Sequence, residues 1–141
     1  MNFSYPKKEK LCSKILIEKL FNEGKVLYEF PFKLIWIESE LNEKVPVQSV
    51  VSVSKRRFKR ANKRNILKRR MREAFRFNKH ELYQILASNN LQLAIMLIYN
   101  NNSLLEFADI ESGMKSILKK LCCKITLKYP ESNPEPISPI Y

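Results

Sequence analysis

A nine-residue segment, LQLAIMLIY at residues 91–99, constrains the fold of this chain most strongly. A run that is almost wholly apolar over this length is typical of a central strand covered on both faces. Residues 25–38 are rich in β-branched and aromatic side chains and are interrupted at Pro31, which indicates one or two further strands. Residues 47–54 (VQSVVSVS) form another clear strand pattern. The chain therefore contains a sheet that other elements must cover.

Helical patterns surround these strands. Ser13 can cap the N-terminus of a first helix, which Gly24 ends. A second helix is predicted near residues 62–79, and a third helical pattern occupies residues 104–121. The second helix has an apolar stripe of Leu67, Met71, Ala74 and Phe75. These patterns predict an α+β fold, a single sandwich of a central sheet of about four strands with about three helices.

The length of 141 residues predicts one domain, which we assign to residues 1–128. Four prolines follow within residues 129–141, so a disordered, proline-rich tail is predicted there. An odd number of cysteines fits a reducing compartment better than a disulfide framework. No apolar run reaches the length of a membrane span, and the first ten residues lack the apolar core of a signal peptide. We therefore expect a cytoplasmic protein that does not bind membranes.

Residues 55–76 hold twelve Lys or Arg residues and a single acid, Glu73. The rest of the chain is nearly balanced, because the totals are 26 basic and 14 acidic residues. A solvated helix face normally mixes both signs, and this concentration of cations repels itself unless an anion offsets it. On the second helix, the stripe opposite the apolar one contains Asn65, Lys68, Arg69, Arg72, Arg76 and Lys79. The segment therefore predicts a surface that binds nucleic acid.

Three interpretations of the basic segment remain open at this point. A DNA-reading helix is possible, with Asn65 among arginines, but neither a heptad zipper nor a helix-turn-helix accompanies it. A basic amphipathic helix that binds a membrane or a calmodulin-like groove ranks last, because its short apolar stripe is needed for the core. A basic helix beside a sheet with exposed aromatic side chains favours single-stranded or folded RNA.

The residues offer little chemistry for catalysis. Two glycines, Gly24 and Gly113, cannot form a phosphate-binding glycine loop. A single histidine, His80, makes a histidine-rich metal site or a Ser-His-Asp triad improbable. We therefore predict a protein that binds rather than one that catalyses unaided, with no metal site of its own.

The order of residues in the basic segment resembles the signature of the bacterial ribonuclease P protein subunit. The matching pieces are SVSK at residues 52–55, KRN at 63–65, KR at 68–69 and REAFR at 72–76. Ile66 stands where the family has the third residue of its R-N-R triplet. The resemblance extends over about residues 7–121, including an opening helix with Leu20, Phe21 and Gly24.

The resemblance implies a ribosomal-protein-like fold with a left-handed crossover through the basic helix. It implies that the chain joins a large catalytic RNA and, with it, removes the 5′ leader of precursor tRNA as an endonuclease. Hydrolysis would be carried out by the RNA and by Mg²⁺ ions bound mainly to the RNA. The protein would hold the single-stranded leader between its first helix and the sheet, without requiring a protein partner. The alternative is a general RNA-binding ribosomal or assembly factor, and a DNA-binding regulator comes third.

The resemblance also assigns residues to these roles. The RNA contacts would be Lys55, Arg56, Arg57, Arg60, Lys63, Arg64, Asn65, Lys68, Arg69, Arg72 and Arg76. Phe21 and Phe32 would stack on bases of the leader, each contributing about 1–3 kcal/mol. Ordinary core packing is an equal alternative for Phe32.

Overall fold

A computed structural model describes residues 7–41 and 44–128 of the chain. The predicted tail at residues 129–141 lies outside the described residues. The strands are β1 (Lys25–Glu29), β2 (Phe32–Glu38), β3 (Val47–Ser52) and β4 (Leu93–Tyr99). The helices are a 3₁₀ turn (Lys7–Glu9), α1 (Lys14–Glu23), α2 (Ala61–Asn78), α3 (His80–Ser88) and α4 (Phe107–Lys128).

The four strands form one mixed sheet in the order β1-β2-β4-β3. β1 pairs antiparallel with β2, β2 pairs antiparallel with β4, and β3 pairs parallel with β4. The connection from β3 to β4 passes through α2 and α3. The predicted α+β class and the four strands are confirmed, with four helices instead of three because α3 is separate from α2. The handedness of the crossover stays a prediction.

Both ends of α1 lie where the sequence predicted them. The Ser13 hydroxyl accepts a hydrogen bond from the Leu16 amide at 3.3 Å, and the Gly24 amide donates to the Leu20 carbonyl at 2.9 Å. A β-carbon on Gly24 would come within 2.5 Å of the Ile35 side chain. Glycine is therefore required at this position by the close approach of α1 to the sheet.

The two faces of the sheet pack against different helices. One face carries the larger core, in which Phe32, Leu34 and Trp36 of β2 lie with buried residues of α2, α3 and α4. The opposite face carries a smaller core, in which Ile35 packs with Leu20 of α1. The side chains of β2 therefore alternate between the two cores. Because α1 is short, it covers only part of its face of the sheet.

The apolar stripe of α2 is also confirmed. Leu67, Met71, Ala74 and Phe75 are all at most 1% exposed and belong to the larger core. Arg60 precedes the helix in an extended conformation and makes no side-chain capping bond. Because the apolar stripe packs in the core, the opposite side of α2 faces solvent.

Lys79 does not lie on the exposed cationic stripe that the helical period predicted. It is 3% exposed, and its ammonium group donates to the Glu9 carboxylate at 2.8 Å. The Tyr83 hydroxyl donates to the same carboxylate oxygen at 2.6 Å. The prediction was wrong because α2 ends at Asn78, so the period no longer applies, and because the buried carboxylate of Glu9 pairs with the ammonium.

Candidate nucleic-acid interface

Residues 53–60 connect β3 to α2, and from here on we call this loop the crossover. Seven cations of the crossover and of α2 form what we call the cationic surface: Lys55, Arg56, Arg60, Lys63, Lys68, Arg69 and Arg72. All are exposed except Lys68, which is half-buried. Within the described residues, none of their side chains forms a hydrogen bond or an ion pair with another protein group. Asn65 is exposed on the same side of α2. A continuous positive surface without internal counterions attracts a polyanion.

Arg57 differs from these seven because the protein holds its guanidinium group. Its two terminal nitrogens donate to the side-chain oxygens of Asn102 at 2.6 Å and Asn100 at 2.9 Å. Both asparagines follow β4, so the crossover is connected to the loop before α4. Arg57 keeps its positive charge, but these two bonds fix the orientation of its guanidinium group. They therefore limit the direction from which a phosphate can approach it.

Two further arginines stabilise the polypeptide backbone around the cationic surface. Arg64 donates to the carbonyls of Phe58 at 2.8 Å and Lys59 at 2.9 Å, which fixes the crossover against the first turn of α2. Arg70 donates to the carbonyl of Leu105. Arg64 was predicted to contact RNA, and that contact stays a prediction. In the structure its guanidinium group stabilises the backbone of the protein.

Arg76 is the predicted RNA contact that forms an ion pair within the part of the chain that the structure describes. Its guanidinium group lies 3.3 Å from the carboxylate of Glu73 and 4.9 Å from the centre of the Phe77 ring. Both charged side chains are about one-third to one-half exposed, at 32% and 47%. Solvent-exposed pairs of this kind contribute about 0–1 kcal/mol, so a phosphate can replace the carboxylate at little cost.

The sheet face beneath α1 presents a second candidate surface. A row of neighbouring residues crosses all four strands on this face: Tyr28, Lys33, Ile98 and Ser52. Tyr28 is 58% exposed, and the Lys33 ammonium lies 5.9 Å from the centre of its ring. We call this row, together with Phe21 of α1, the aromatic face. The sequence interpretation missed Tyr28, although alternation along β1, which buries Leu27 and exposes Tyr28, was a usable signal.

Phe21 and Phe32 were predicted together but lie on opposite sides of the sheet. Phe21 is 61% exposed on α1, as a base-stacking residue must be. Phe32 is 1% exposed in the larger core, where its ring meets the Tyr99 ring edge-on at 6.2 Å. The prediction that Phe32 stacks on a leader base is therefore wrong, because strand alternation directs it toward the helices together with Leu34 and Trp36.

The groups with displaced pKa values are Cys122 and Tyr99 of the packed interior and His80, which is partly buried. Burial raises the pKa of Cys122 to about 12 and also raises the pKa of the Tyr99 hydroxyl. Burial, together with the nearby Lys79 charge, lowers the pKa of His80. Among residues 7–41 and 44–128, no three His, Cys, Asp or Glu side chains are arranged to hold a metal ion. The chemistry of the described surfaces is that of cations, an amide and aromatic rings.

Comparisons with known proteins agree with this geometry. The family model described as Ribonuclease P matches residues 5–122. The Ribonuclease P protein component of Porphyromonas gingivalis is 32% identical over 119 residues, which are 84% of this chain and 87% of that protein.

Solved structures show the same fold. The RNase P protein of Staphylococcus aureus superimposes with a TM-score of 0.62 at 20% identity, over 80% of this chain and 94% of that chain. The RNase P protein of Thermotoga maritima gives a TM-score of 0.59 at 24% identity, over 79% and 96% of the two chains. With the family model covering most of the sequence, the chain belongs to the ribonuclease P protein family.

Proposed function

We propose that this chain is the protein subunit of a ribonuclease P whose catalytic subunit is RNA. It binds that RNA and the 5′ leader of precursor tRNA, and it assists endonucleolytic removal of the leader. The observation that carries the proposal is the cationic surface, in which seven cations lack any partner within the described part of the chain. Family membership supports the identity of the RNA partner.

The cationic surface supports binding to a folded RNA. Each Lys or Arg that neutralises a phosphate releases condensed counterions. Each such contact adds about 0.7–0.9 to the magnitude of the slope of log K against log salt. Full engagement of the surface therefore corresponds to a slope of about 5–6. Arg69 and Arg72 lie one turn apart on α2 and are both exposed, so they can contact neighbouring phosphates. The Asn65 amide can donate to a phosphate or to water around a hydrated ion.

The aromatic face supports binding of a single strand. Exposed rings stack on unpaired bases without sequence preference, and Lys33 places a cation beside the Tyr28 ring. In this proposal Phe21 and Tyr28 contact the leader, and Tyr28 takes the role that was first given to Phe32. The end of the row at Ser52 leads into the crossover, so the leader and the RNA subunit would bind to adjoining surfaces.

The hydrolysis itself is assigned to the RNA subunit and to Mg²⁺ bound mainly by it. In this scheme the protein supplies positioning: it holds the leader on one face of the sheet and the RNA subunit on α2. We expect the complex to form in the cytoplasm without another protein partner. None of the helices in the described residues has the length and apolarity needed to cross a membrane.

The alternative is a general RNA-binding ribosomal or assembly factor that uses the same cationic surface. Reconstitution separates the two functions. The protein is added to its cognate ribonuclease P RNA at low Mg²⁺ concentration, and cleavage of precursor tRNA is measured. We expect strong stimulation over the RNA alone, and a loss of stimulation with Arg69→Ala/Arg72→Ala.

The control for this test is Lys7→Ala/Lys44→Ala, which removes the same charge from exposed residues outside the cationic surface. It should stimulate cleavage as the original chain does. Binding to the RNA without any stimulation of cleavage would contradict the proposed function and favour the alternative.

A further inference from the structure

A groove runs along the outer side of α4 beside the edge strand β1, and we call it the α4 groove. Leu127 of α4, which is 77% exposed, and Leu27 of β1, which is 9% exposed, provide apolar lining. Cys123 lines the groove from α4. Lys119 and Lys124 line the same groove. Both lysines are exposed, and within the described residues neither side chain has a hydrogen bond or an ion pair. The groove therefore combines apolar contact area with uncompensated positive charge.

The α4 groove begins where the aromatic face ends. Lys120 of α4 reaches across the edge of the sheet, donating to the Tyr28 carbonyl at 2.9 Å and pairing with the Glu29 carboxylate at 2.9 Å. Among the described residues that line the groove, Glu29 is the one acid, and Lys120 already offsets its charge. A ligand that passes the Tyr28 ring at this edge thus meets a net positive surface on α4.

The sheet sets the distance over which a strand of RNA would travel. Ser52, Ile98, Lys33 and Tyr28 are cross-strand neighbours in order, and adjacent strands lie about 4.8 Å apart. The row is therefore about 14 Å long, from the side of the crossover to the free edge of β1. A short stretch of single-stranded RNA spans this distance, so a longer leader must continue beyond the edge.

We propose that the upstream part of a long leader turns around the edge of β1 and binds in the α4 groove. Lys119 and Lys124 would contact its phosphates, and a base would pack against Leu127 and Leu27. Single-stranded RNA fits both features, because its backbone requires cations and its bases have apolar faces. This inference rests on the proposed function, in which the aromatic face holds the first part of the leader.

Leader length provides the first test. Reconstituted holoenzyme is titrated with precursor tRNAs that carry leaders of about four and about twelve nucleotides. Replacing both groove lysines, in Lys119→Ala/Lys124→Ala, should weaken binding of the long-leader substrate roughly three- to thirtyfold, as expected for two exposed ion pairs. Its salt slope should fall by about 1.4, and binding of the short-leader substrate should not change. Lys7→Ala/Lys44→Ala is the charge-matched control.

The native cysteines provide a second test that leaves the groove unaltered. Cys123 and Cys12 are exposed, whereas Cys122 is buried. Alkylation of Cys123 should slow in the holoenzyme bound to the long-leader substrate and not with the short-leader substrate, while Cys12 should react equally in both. Equal Cys123 rates with both leaders would overturn the inference. Slowing by the RNA subunit or by a second copy before substrate is added would also overturn it, since the groove would then have another occupant.

The two proposals fail in different ways. If the protein stimulates cleavage of the short-leader substrate but the groove lysines do not affect long-leader binding, the α4 inference is wrong and the proposed function stands. If the protein stimulates cleavage of neither substrate, the proposed function itself is wrong.

Discussion

Gly113 is a buried position of α4 at which an added methyl group should be destabilising. A β-carbon there would lie 2.6 Å from the Phe30 carbonyl oxygen and also against the Pro31 ring, whereas ordinary contacts begin at 3.4 Å. Either α4 or the β1–β2 turn must move by at least about 0.8 Å, because the Pro31 ring lies closer still than the Phe30 oxygen. Neither neighbour is a flexible side chain, so this movement costs about 2–3 kcal/mol, the upper part of the usual range for overpacking, against the roughly 1 kcal/mol that alanine gains over glycine in a helix.

We therefore expect Gly113→Ala to lower the free energy of unfolding by about 1–2 kcal/mol and the Tm by about 4–8 °C. Urea denaturation followed by circular dichroism measures the change. Ser112→Ala, an exposed substitution in the same helix, is the control and should be neutral or slightly stabilising. The β1–β2 turn follows Tyr28, so Gly113→Ala should also weaken leader binding. A variant as stable as the original chain would refute the steric reasoning.

Three further predictions concern the interior and the aromatic face. Phe32→Ala should cost about 3–5 kcal/mol in chemical denaturation, while Phe21→Ala should leave stability nearly unchanged and weaken leader binding by about 1–3 kcal/mol. Lys79→Met should destabilise the fold by about 3–5 kcal/mol because it leaves the Glu9 carboxylate buried without its cation, and adding Glu9→Leu should restore much of the loss in a double-mutant cycle. Maleimide at pH 7 should modify two thiols in the native chain and spare Cys122, whose pKa of about 12 disfavours the thiolate, until denaturant is added.

The elements whose signals are local were predictable from the sequence. Ser13 and Gly24 mark the ends of α1 through bonds to residues three or four positions away. The stripe from Leu67 to Phe75 follows from the helical period alone. The location of the cationic surface was also predictable, because acids are nearly absent from residues 55–76.

The errors arose where a distant residue determines the outcome. Lys79 is buried because Glu9, seventy positions away, supplies its carboxylate. Arg57 is fixed by asparagines that follow β4, and neither its own segment nor its charge indicates this. Phe32 is a different case, since alternation along β2 already placed it beside Leu34 and Trp36 in the core.

The account depends on cations whose side chains have no partner among the described residues until an RNA binds. The salt dependence of binding to ribonuclease P RNA tests this claim most directly. For the original chain log K should fall with log salt with a slope of about 5–6 in magnitude, and Arg69→Ala/Arg72→Ala should reduce that magnitude by about 1.4–1.8 with less than 0.5 kcal/mol change in stability. An unchanged slope, or a large loss of stability, would show that these two arginines serve the protein's own fold and would contradict the account.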